Sequence, residues 1–526
     1  MRCFFLAVLI VSFLATLAIG ADPVRRGEVV FSTAFDDAHA IDLWQGSEGG
    51  SMQIVDHAGD SKALAIESPS VKGKVARVAI PVERIRGARL TLSANVRAQD
   101  VVKPPAEWNG VKLMLIIVSP AGTTYSSPTG VFGTFDWRPL AVTAVVPNDA
   151  TEISVLIGVE ATTGRVWYDD LTLTVTGARQ PRPATRPVLL PTEQLDRRTD
   201  APRLRGVMYG PHGKEGDLRD LASWHANLIR WQLYWYKGSL HDLDAYDRWL
   251  NKTMDEIDGF LPLCEKLGLR VVIDLHTPPG GTRNRQMGIF EEKRFQEKFV
   301  ESWDRIATRF KNRPAIWAYD LLNEPVEGAI APGLEDWPTL AERVAKRVRA
   351  IDPVRAIIFE PGPFGGWDNL PFIKPLDVPG VIYSVHLYDP MQLTHQGVLS
   401  GTPVGVSYPG EIAGRRWDKD ALRRALEPVR QFQLDYGVPI YIGEFSCIRW
   451  APGESAPRYL RDAIDIFEEY GWDWSYHAYR EWQGWNVEIG SDKNDETPAT
   501  QPTLRQRILM SAFEKNRVQG GHESHK

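Results

Sequence analysis

The sequence predicts two successive domains, an all-β sandwich followed by an α/β barrel of the TIM, or (β/α)8, type. The chain has 526 residues, which is too long for one ordinary domain. Residues 28–176 contain short alternating apolar segments separated by turns, with almost no helical periodicity. From residue 204 onward, apolar strand-like runs alternate with amphipathic helix-like segments, a pattern that is typical of a parallel sheet.

The composition indicates a globular protein and excludes some classes of partner. Hydrophobic residues make up 43% of the chain and charged residues 24%. The formal net charge of -6 provides neither a basic field for nucleic acid nor a polybasic membrane patch. We therefore expect no nucleic-acid partner, and we expect a monomer.

Residues 1–20 predict a secretory signal peptide. Arg2 supplies the positive start, Phe4 to Leu17 the apolar core, and Ala18-Ile-Gly20 a small-residue cleavage site. This apolar core is short for a membrane span, although an uncleaved anchor is the alternative. No other long apolar run follows, so we expect no stable membrane span after signal cleavage. The predicted location is secreted, periplasmic or at the cell surface.

The predicted sandwich occupies residues 28–176. Its strand candidates are short and alternating: Glu28 to Phe31, Leu90 to Val96, Val111 to Ile117, Ile153 to Ile157 and Val166 to Val175. The segment Gly164-Arg-Val-Trp-Tyr-Asp-Asp-Leu-Thr-Leu resembles the last strand of jelly-roll carbohydrate-binding modules, and Phe31-Ser-Thr-Ala-Phe35 with its acidic pair resembles the first. The resemblance implies a sugar-binding accessory domain, with a structural calcium as an option. The alternative is a stabilising sandwich that binds nothing.

Residues 177–203 separate the two domains. This segment is rich in Pro and Arg, which predicts a semi-rigid linker. The barrel is predicted over residues 204–515, followed by a disordered tail at 516–526.

Eight strand candidates support a closed barrel. They are Arg205 to Tyr209, Ala226 to Trp231, Arg270 to Leu275, Ile316 to Leu322, Ala356 to Glu360, Val381 to Leu387, Val438 to Gly443 and Trp472 to Tyr479. The clearest helices between them are Leu243 to Leu267, Glu291 to Asn312, Trp337 to Ile351 and Lys419 to Tyr436. A doubly wound open sheet is the alternative, but no G-x-G-x-x-G follows a strand. Cys264 and Cys447 are predicted to lie too far apart for a disulfide.

Two predicted strands end in a glutamate. Ala318-Tyr-Asp-Leu-Leu-Asn-Glu-Pro325 ends in Glu324, and Val438-Pro-Ile-Tyr-Ile-Gly-Glu-Phe445 ends in Glu444. A carboxylate at the end of a buried strand is costly unless it is paired or used. Either glutamate alone could be an ordinary boundary residue. Together they suggest two carboxylates facing one substrate, which is what glycoside hydrolysis requires.

Other strand ends also carry polar or aromatic residues. In a barrel of this type the chemistry lies at the carboxyl ends of the strands. The residues found there are Arg230, Asp274, His276, Glu360, His386, Tyr388, Trp482 and Trp485. We interpret Glu360, which precedes Pro361, as a substrate-contact or structural residue.

Five motifs in order give a family resemblance. They are Asn227-Leu-Ile-Arg230, Ile273-Asp-Leu-His276, Leu322-Asn-Glu-Pro325, His386-Leu-Tyr388 and Ile442-Gly-Glu444. With them, residues 204–515 resemble glycoside hydrolase family five, the cellulase family of clan A. The resemblance implies a retaining β-glycoside hydrolase, similar to an endo-β-glucanase, that needs no cofactor. Its substrate would be a β-linked polysaccharide or oligosaccharide, with Glu324 as acid/base and Glu444 as nucleophile.

The remaining roles follow from this assignment. Arg230 and Tyr388 could keep Glu444 ionised by charge-assisted hydrogen bonds. Asn323 carries amide donors suited to a sugar 2-hydroxyl. His276 and His386 could orient these groups or bind sugar hydroxyls, and Trp482 would supply a stacking face.

Alternatives stay open for several of these residues. His276 could be a core histidine, and Arg230 could simply pair with Asp274 or another acid. In the family the tryptophan on which the sugar stacks closely follows strand eight, whereas here Trp482 follows at an uncommon spacing. Trp485 is the alternative candidate for this role.

Two other functions compete with hydrolysis by paired glutamates. Asp274, His276, His386 and Glu444 include metal-ligand types, so a metal-dependent barrel hydrolase is one alternative. Strand one, Arg205 to Tyr209, however lacks the paired histidines that such barrels use. A catalytically inactive sugar-binding protein is the other alternative. The long segment Gln392 to Arg416 is predicted to shape the binding cleft.

Overall fold

The computed structural model describes residues 24–57, 61–185, 203–235, 241–283, 286–399 and 402–519. The chain divides into two compact units, Met1–Ala178 and Arg179–Lys526. The predicted signal peptide lies outside the described residues, so export stays a prediction. Among the described residues, no helix combines the length and apolar character that crossing a membrane requires.

The N-terminal unit consists of antiparallel sheets. Its strands are β1 Val29–Thr33, β2 Gln45–Gly46, β3 Ser51–Asp56, β4 Lys62–Ser68, β5 Gly73–Ile80, β6 Arg89–Val101, β7 Gly110–Ser119, β8 Gly122–Ser126, β9 Gly133–Val145, β10 Glu152–Glu160 and β11 Gly164–Gly177. A six-stranded sheet has the order β3-β4-β11-β6-β9, with β1 paired to β11. A five-stranded sheet has the order β2-β5-β10-β7-β8.

The two sheets share one hydrophobic core. Leu90 and Leu92 of β6 are fully buried and belong to the same cluster as Leu113 of β7 and Val155 of β10. Successive side chains of a strand point to opposite faces, so every second residue of β6 enters this core. The predicted all-β architecture of this unit is therefore present. The jelly-roll assignment stays a prediction.

The acidic pair after β1 is used by the backbone. Asp36 accepts a hydrogen bond from the Lys62 N–H at 2.9 Å, and Asp37 accepts one from the His39 N–H at 2.9 Å. Asp37 thereby caps the 3-10 helix Ala38–Leu43. These two contacts account for the pair without an ion, and the calcium site stays a prediction.

The first part of the predicted linker packs on the barrel unit. The Gln180 N–H donates to the Pro371 carbonyl at 2.9 Å, and the Arg182 guanidinium pairs with Asp435 at 3.2 Å. Residues 179–182 therefore belong to the folded barrel unit and do not act as a free spacer. Residues 186–202 of the predicted linker lie outside the described residues.

The C-terminal unit contains a closed barrel of eight parallel strands. They are β12 Arg205–Tyr209, β13 Leu228–Gln232, β14 Arg270–Asp274, β17 Ile316–Asp320, β18 Ala356–Phe359, β19 Val381–Leu387, β22 Ile440–Phe445 and β23 Asp473–Tyr476. Two hairpins lie in the loops, β15 Thr282–Arg283 with β16 Gln286–Met287, and β20 Gly410–Ile412 with β21 Arg415–Trp417. The barrel prediction is confirmed, and a doubly wound open sheet is excluded by this closure.

Helices surround the strands. They are α1 Glu215–Ser223, α2 Leu243–Leu267, α3 Lys293–Phe310, α4 Trp337–Ile351, α5 Met391–Thr394, α6 Lys419–Tyr436, α7 Ser455–Tyr470, α8 Leu504–Phe513 and α9 Lys515–Gln519. The bounds of α2 have a local cause: the Asp242 side chain accepts from the Ala245 N–H, and Gly268 ends the helix with φ 71°.

The C-terminal end differs from the sequence-based expectation. Lys515–Gln519 forms α9, so the tail that was predicted to be disordered from residue 516 is helical through residue 519. Asn516 explains part of this order, because its amide donates to the His225 carbonyl at 2.8 Å and accepts from Arg205 at 2.8 Å. Cys264 and Cys447 are both free and buried, as predicted.

The barrel interior is filled at one level by small and large apolar side chains. Leu228, Val272, Ala318 and Ile358 belong to this inner cluster and are fully buried. Because strand side chains alternate with a period of two, the next inward residue on each strand lies one layer nearer the carboxyl end. Those residues are Arg230, Asp274, Asp320 and Glu360.

Candidate active site

Arg230 lies at the centre of the polar layer above the apolar interior. Its guanidinium is fully buried and contacts four carboxylates: Asp274 at 3.2 Å, Asp320 at 2.8 Å, Glu360 at 2.8 Å and Glu444 at 2.9 Å. Burial by itself lowers the pKa of Arg230, but these four carboxylates raise it well above its ordinary value. Both interpretations of Arg230 therefore hold, since it pairs with Asp274 and also with Glu444.

Asp320 balances the charge of this layer. Burial and the neighbouring carboxylates of Glu360 and Asp274 raise the pKa of Asp320 well above its ordinary value, against the opposing effect of Arg230. The shift favours the neutral form of Asp320, and a neutral Asp320 reduces the number of negative charges around one guanidinium. The sequence analysis did not select Asp320, although a charged residue inside an apolar strand was a signal for it.

Glu444 is held by donors on both carboxylate oxygens. Arg230 donates to Oε1 at 2.9 Å, and the Tyr388 hydroxyl donates to Oε2 at 2.7 Å. His477 Nδ1 lies 3.1 Å from Oε2. Burial by itself raises the pKa of Glu444, but the charges of His386, His477 and Arg230 hold it well below its ordinary range. Glu444 is thus an ionised carboxylate in one fixed orientation.

Glu324 is the more accessible of the two glutamates. Its side chain is 31% exposed, and its backbone adopts φ 47°, the left-handed region that residues other than glycine seldom occupy. The Glu324 N–H donates to Glu360 Oε2 at 2.8 Å. The fully buried Glu360 therefore holds the strained turn in place, which favours its structural interpretation over substrate contact.

His386 connects the two sides of the site. Its Nδ1 lies 2.8 Å from Glu324 Oε1 and its Nε2 lies 3.1 Å from Glu360 Oε1. Burial by itself lowers the pKa of His386, but Glu360, Glu444 and the hydrogen bond to Glu324 raise it well above its ordinary value. His386 therefore links the two glutamates, Glu324 and Glu360, through its two ring nitrogens.

The two glutamates face each other across the barrel mouth. One oxygen of Glu324, one nitrogen of His386 and one oxygen of Glu444 all lie within 4.8 Å of one another. Among the described residues this is the one cluster whose spacing would also suit a metal ion. The atoms that would bind such an ion already have protein partners, since both ring nitrogens of His386 and both oxygens of Glu444 form hydrogen bonds. Asp274 and His276 are not members of the cluster.

Asn323 and His276 flank the pair. The Asn323 amide oxygen accepts from Arg230 at 3.2 Å, which leaves the amide nitrogen as the donor of that side chain. His276 Nδ1 pairs with Asp274 at 2.8 Å, and its ring packs edge-on against Tyr234. The buried Asp274 thus sets the orientation of His276, whose contact with a sugar stays a prediction.

The tryptophans form a layer behind Tyr388. Trp485 stacks on Tyr388 with ring centroids 5.1 Å apart, and its indole N–H donates to the Thr394 carbonyl at 3.1 Å. Trp482 packs edge-on against Trp485 at 4.7 Å. Trp482 is therefore two ring contacts away from the residue that holds Glu444. A platform role for Trp482 stays a prediction.

His477 is a site residue that the sequence analysis missed. It immediately follows β23, and its Nδ1 lies 2.8 Å from the Tyr388 hydroxyl as well as 3.1 Å from Glu444. Its Nε2 lies 3.6 Å from Glu481. The predicted strand ran to Tyr479, which placed His477 inside the strand. The strand ends at Tyr476, which puts His477 at the carboxyl end where site residues occur.

Comparison with known proteins decides the family. The sequence profile of the cellulase family, glycosyl hydrolase family 5, matches residues 195–483, more than half of the chain. The chain belongs to glycosyl hydrolase family 5. It is therefore a β-glycoside hydrolase of the cellulase family, and the resemblance found in the sequence is confirmed for this domain.

Two curated relatives and one solved structure are similar to this family 5 protein. Endoglucanase C of Acetivibrio thermocellus is 29% identical over 249 residues, which are 42% of this chain and 71% of that protein. Cellodextrinase A of Ruminococcus flavefaciens is 26% identical over 276 residues, 51% of this chain and 79% of that protein. The solved endoglucanase Cel5A of Thermotoga maritima is 22% identical, with a TM-score of 0.47 over 61% of this chain and 99% of that one.

The geometry gives this family 5 site two different carboxyl groups. Glu444 is buried, ionised and held by three donors, which suits a group that attacks. Glu324 is partly exposed and paired with a histidine, which suits a group that exchanges a proton with a substrate oxygen. The first residue after strand eight is His477, whereas the family resemblance predicts a platform tryptophan that closely follows this strand.

Proposed function

We propose that this protein is a retaining β-glycosidase that cleaves β-linked glucan polysaccharides or oligosaccharides by double displacement. The observation that carries the proposal is the pair of carboxylates within 4.8 Å, with three donors on Glu444 and His386 on Glu324. Retaining enzymes hold their carboxyl groups about 5 to 5.5 Å apart, whereas inverting enzymes need about 6.5 to 9.5 Å for a water between them.

In the first step Glu444 attacks the anomeric carbon. The bond between that carbon and the glycosidic oxygen breaks, and Glu324 gives its proton to the departing oxygen. Arg230, Tyr388 and His477 orient the Glu444 carboxylate before the attack, so little reorganisation is needed during it. In this proposal the Asn323 amide donates to the sugar 2-hydroxyl, a bond that strengthens in the transition state.

In the second step water replaces the leaving group. Ionised Glu324 takes a proton from the water, the water oxygen bonds to the anomeric carbon, and the ester bond to Glu444 breaks. Two inversions at one carbon retain its configuration. The same Glu324 acts first as acid and then as base, which its exposed position permits.

Variants of Glu444 test the proposal. Glu444→Gln should lower kcat on a β-glucan by at least about a thousandfold, because the nucleophile is lost. Glu444→Ala with azide should regain turnover and give the inverted glycosyl azide. Circular dichroism should show an unchanged fold. Glu265→Gln, which alters an exposed glutamate on helix α2, is the matched control and should retain wild-type rates. A Glu444→Gln enzyme near the wild-type rate would falsify the assignment, and so would inversion by the wild type.

The metal-dependent alternative is open to a direct comparison. A metal ion bound by these residues would have to replace hydrogen bonds that His386 and Glu444 already make. Full turnover of a β-glucan after dialysis against a chelator would contradict it. Loss of turnover that returns on addition of one divalent metal would favour it.

We propose in addition that the N-terminal unit binds β-linked glycan. On the six-stranded sheet, Trp167 of β11 is half-buried, and the guanidinium groups of Arg97 and Arg165 lie over its ring at 4.9 and 5.4 Å from the centroid. Its directly opposite neighbour on β4 is the small Ala65. An aromatic ring beside polar donors is the combination that sugar recognition uses.

Binding to insoluble cellulose tests this second proposal with the full chain. Trp167→Ala should weaken adsorption several-fold, because the stacking surface is removed. Trp108→Ala is the matched control, since Trp108 is exposed in a loop of the same unit and should be without effect. Equal adsorption of the wild type and Trp167→Ala would show that the unit binds no glycan through this face.

A further inference from the structure

Phe364, in the loop that follows β18, has a strained backbone conformation. Its backbone adopts φ 59°, a left-handed conformation in which a bulky side chain is strained. Its aromatic side chain is nevertheless 43% exposed. A glycine would remove the strain, and an aromatic ring gains nothing from contact with water. Backbone strain and exposure to water therefore both disfavour a phenylalanine here.

The position of this loop relates Phe364 to the acid/base glutamate. The Phe364 N–H donates to the carbonyl of Pro325, the residue after Glu324, at 3.2 Å. The carbonyl of the next residue, Gly365, accepts from the His386 N–H at 2.9 Å. A Cβ at Gly365 would lie 3.0 Å from Glu360 Oε2. The loop is thus packed against Glu360 and His386, the two residues that contact Glu324, and against the adjacent Pro325. Phe364 is the exposed aromatic group of this loop.

Phe364 lies on the side of the site where the leaving sugar would bind. Glu324 gives its proton to the oxygen of the leaving sugar, so the leaving sugar lies on the Glu324 side of the cleavage point. The apolar face of a pyranose ring stacks well on an aromatic side chain because both surfaces leave water. The loop contacts hold the backbone of Phe364 before substrate arrives, which lowers the entropic cost of binding.

We propose that Phe364 is the platform on which the first sugar of the leaving group stacks. This inference rests on the proposed function and specifies its substrate side: the enzyme prefers leaving groups that are themselves β-linked sugars. The same surface takes an acceptor sugar during the second step. An acceptor hydroxyl oxygen then bonds to the anomeric carbon, Glu324 takes the hydroxyl proton, and the ester bond to Glu444 breaks.

Reactivation of a trapped enzyme isolates this surface from all earlier steps. A 2-deoxy-2-fluoro-glucosyl ester on Glu444 is formed from the activated fluoride and freed of excess reagent. The ester is then released either by water alone or by added cellobiose. Phe364→Ala and Phe364→Gly should raise the cellobiose concentration for half-maximal reactivation by about tenfold. Their release by water alone should stay within about twofold of wild type, because the acid/base group is untouched.

Two further variants separate the ring from the backbone. Phe364→Tyr keeps an aromatic face and should reactivate with cellobiose within about threefold of wild type. Phe364→Gly relieves the strained φ, so its melting temperature should equal or exceed that of the wild type, while the cellobiose concentration for half-maximal reactivation rises about tenfold. Ala161→Gly, which relieves φ 53° in the N-terminal unit, is the control and should leave reactivation unchanged.

The outcomes distinguish this inference from the function on which it rests. If the wild type forms no ester on Glu444 by mass spectrometry, the proposed mechanism is overturned and the platform with it. If the ester forms and Phe364→Ala and Phe364→Gly respond to cellobiose as the wild type does, the platform alone is overturned. A tenfold loss in both variants, with Phe364→Tyr retained, supports it.

Discussion

Three side chains hold the Glu444 carboxylate, and each contacts a defined oxygen. Arg230 occupies one carboxylate oxygen, while Tyr388 and His477 share the other. Burial raises the pKa of Tyr388 first, and the Glu444 charge raises it further, so the hydroxyl stays a donor. Arg230 is shared with three other carboxylates. His477 therefore contributes a positive charge on the oxygen that Arg230 does not reach.

Replacing His477 should move the pH dependence of catalysis in a defined direction. Burial by itself lowers the pKa of His477, but Glu444 and Glu481 raise it, so His477 is a cation at mildly acidic pH. In His477→Asn this charge is lost, and the pKa of Glu444 rises towards its ordinary value. The acid limb of kcat/KM should shift to higher pH, measured on an aryl β-glycoside.

The control for this shift is His395→Asn. Burial lowers the pKa of His395 to about 4, so above that pH the substitution removes no positive charge. Its acid limb should stay where the wild type has it. An unchanged acid limb in His477→Asn would contradict a charge role for His477.

At the scale of helices and strands, the sequence predicts regular elements better than their ends. The bounds of α2, α4 and α6 agree with the predicted helices, because each is strongly amphipathic and has an acidic N-cap. Helix α1 buries only Leu218 and Leu221, so its nine residues give a weak apolar pattern. Tertiary packing, which no local pattern contains, decides such short elements.

Strand ends limit what could be predicted of the site. Glu324 and Glu444 were found because each ends an apolar run, and Arg230, His386 and Tyr388 because they follow the same rule. His477 was missed through an error of three residues in one boundary. The loop after β18 positions Glu324 through Glu360 and His386. Its contacts depend on residues far apart in the chain, so spacing alone could not reveal them.

For the whole molecule, closure of the barrel depends on its first and last strands. Strand β12 pairs with β23, and Arg205 of β12 donates two hydrogen bonds to Glu468 of α7, at 2.7 and 2.8 Å. The Trp474 indole of β23 donates to the same carboxylate at 3.1 Å. Burial by itself raises the pKa of Glu468, but these donors and Arg203 lower it to about 2.

Glu468 should therefore stabilise the fold in a pH-dependent way. A carboxyl whose pKa is lower in the folded state stabilises it above the unfolded pKa of 4.5, and the contribution is lost as the pH falls towards about 2. Glu468→Gln should lower the free energy of unfolding at pH 7 by up to about 3 kcal/mol. The difference from wild type should shrink as the pH falls below 4.5, measured by urea unfolding and tryptophan fluorescence.

The adjacent Glu469 provides the matched control. It pairs with Arg423 at the surface, where both side chains are partly exposed. Exposed pairs contribute at most about 1 kcal/mol, so Glu469→Gln should unfold almost as the wild type does at every pH. Equal effects of the two variants would show that the closure contacts add no special stability.

The left-handed backbone at Glu324 has an evolutionary consequence. Glycine or asparagine would occupy that conformation at lower cost, yet neither can exchange a proton with a departing sugar. Selection for heat resistance alone would thus favour the loss of this side chain. Only selection for turnover retains the glutamate. In a related protein that no longer hydrolyses its substrate, we therefore expect residue 324 to be substituted before the residues of the barrel core.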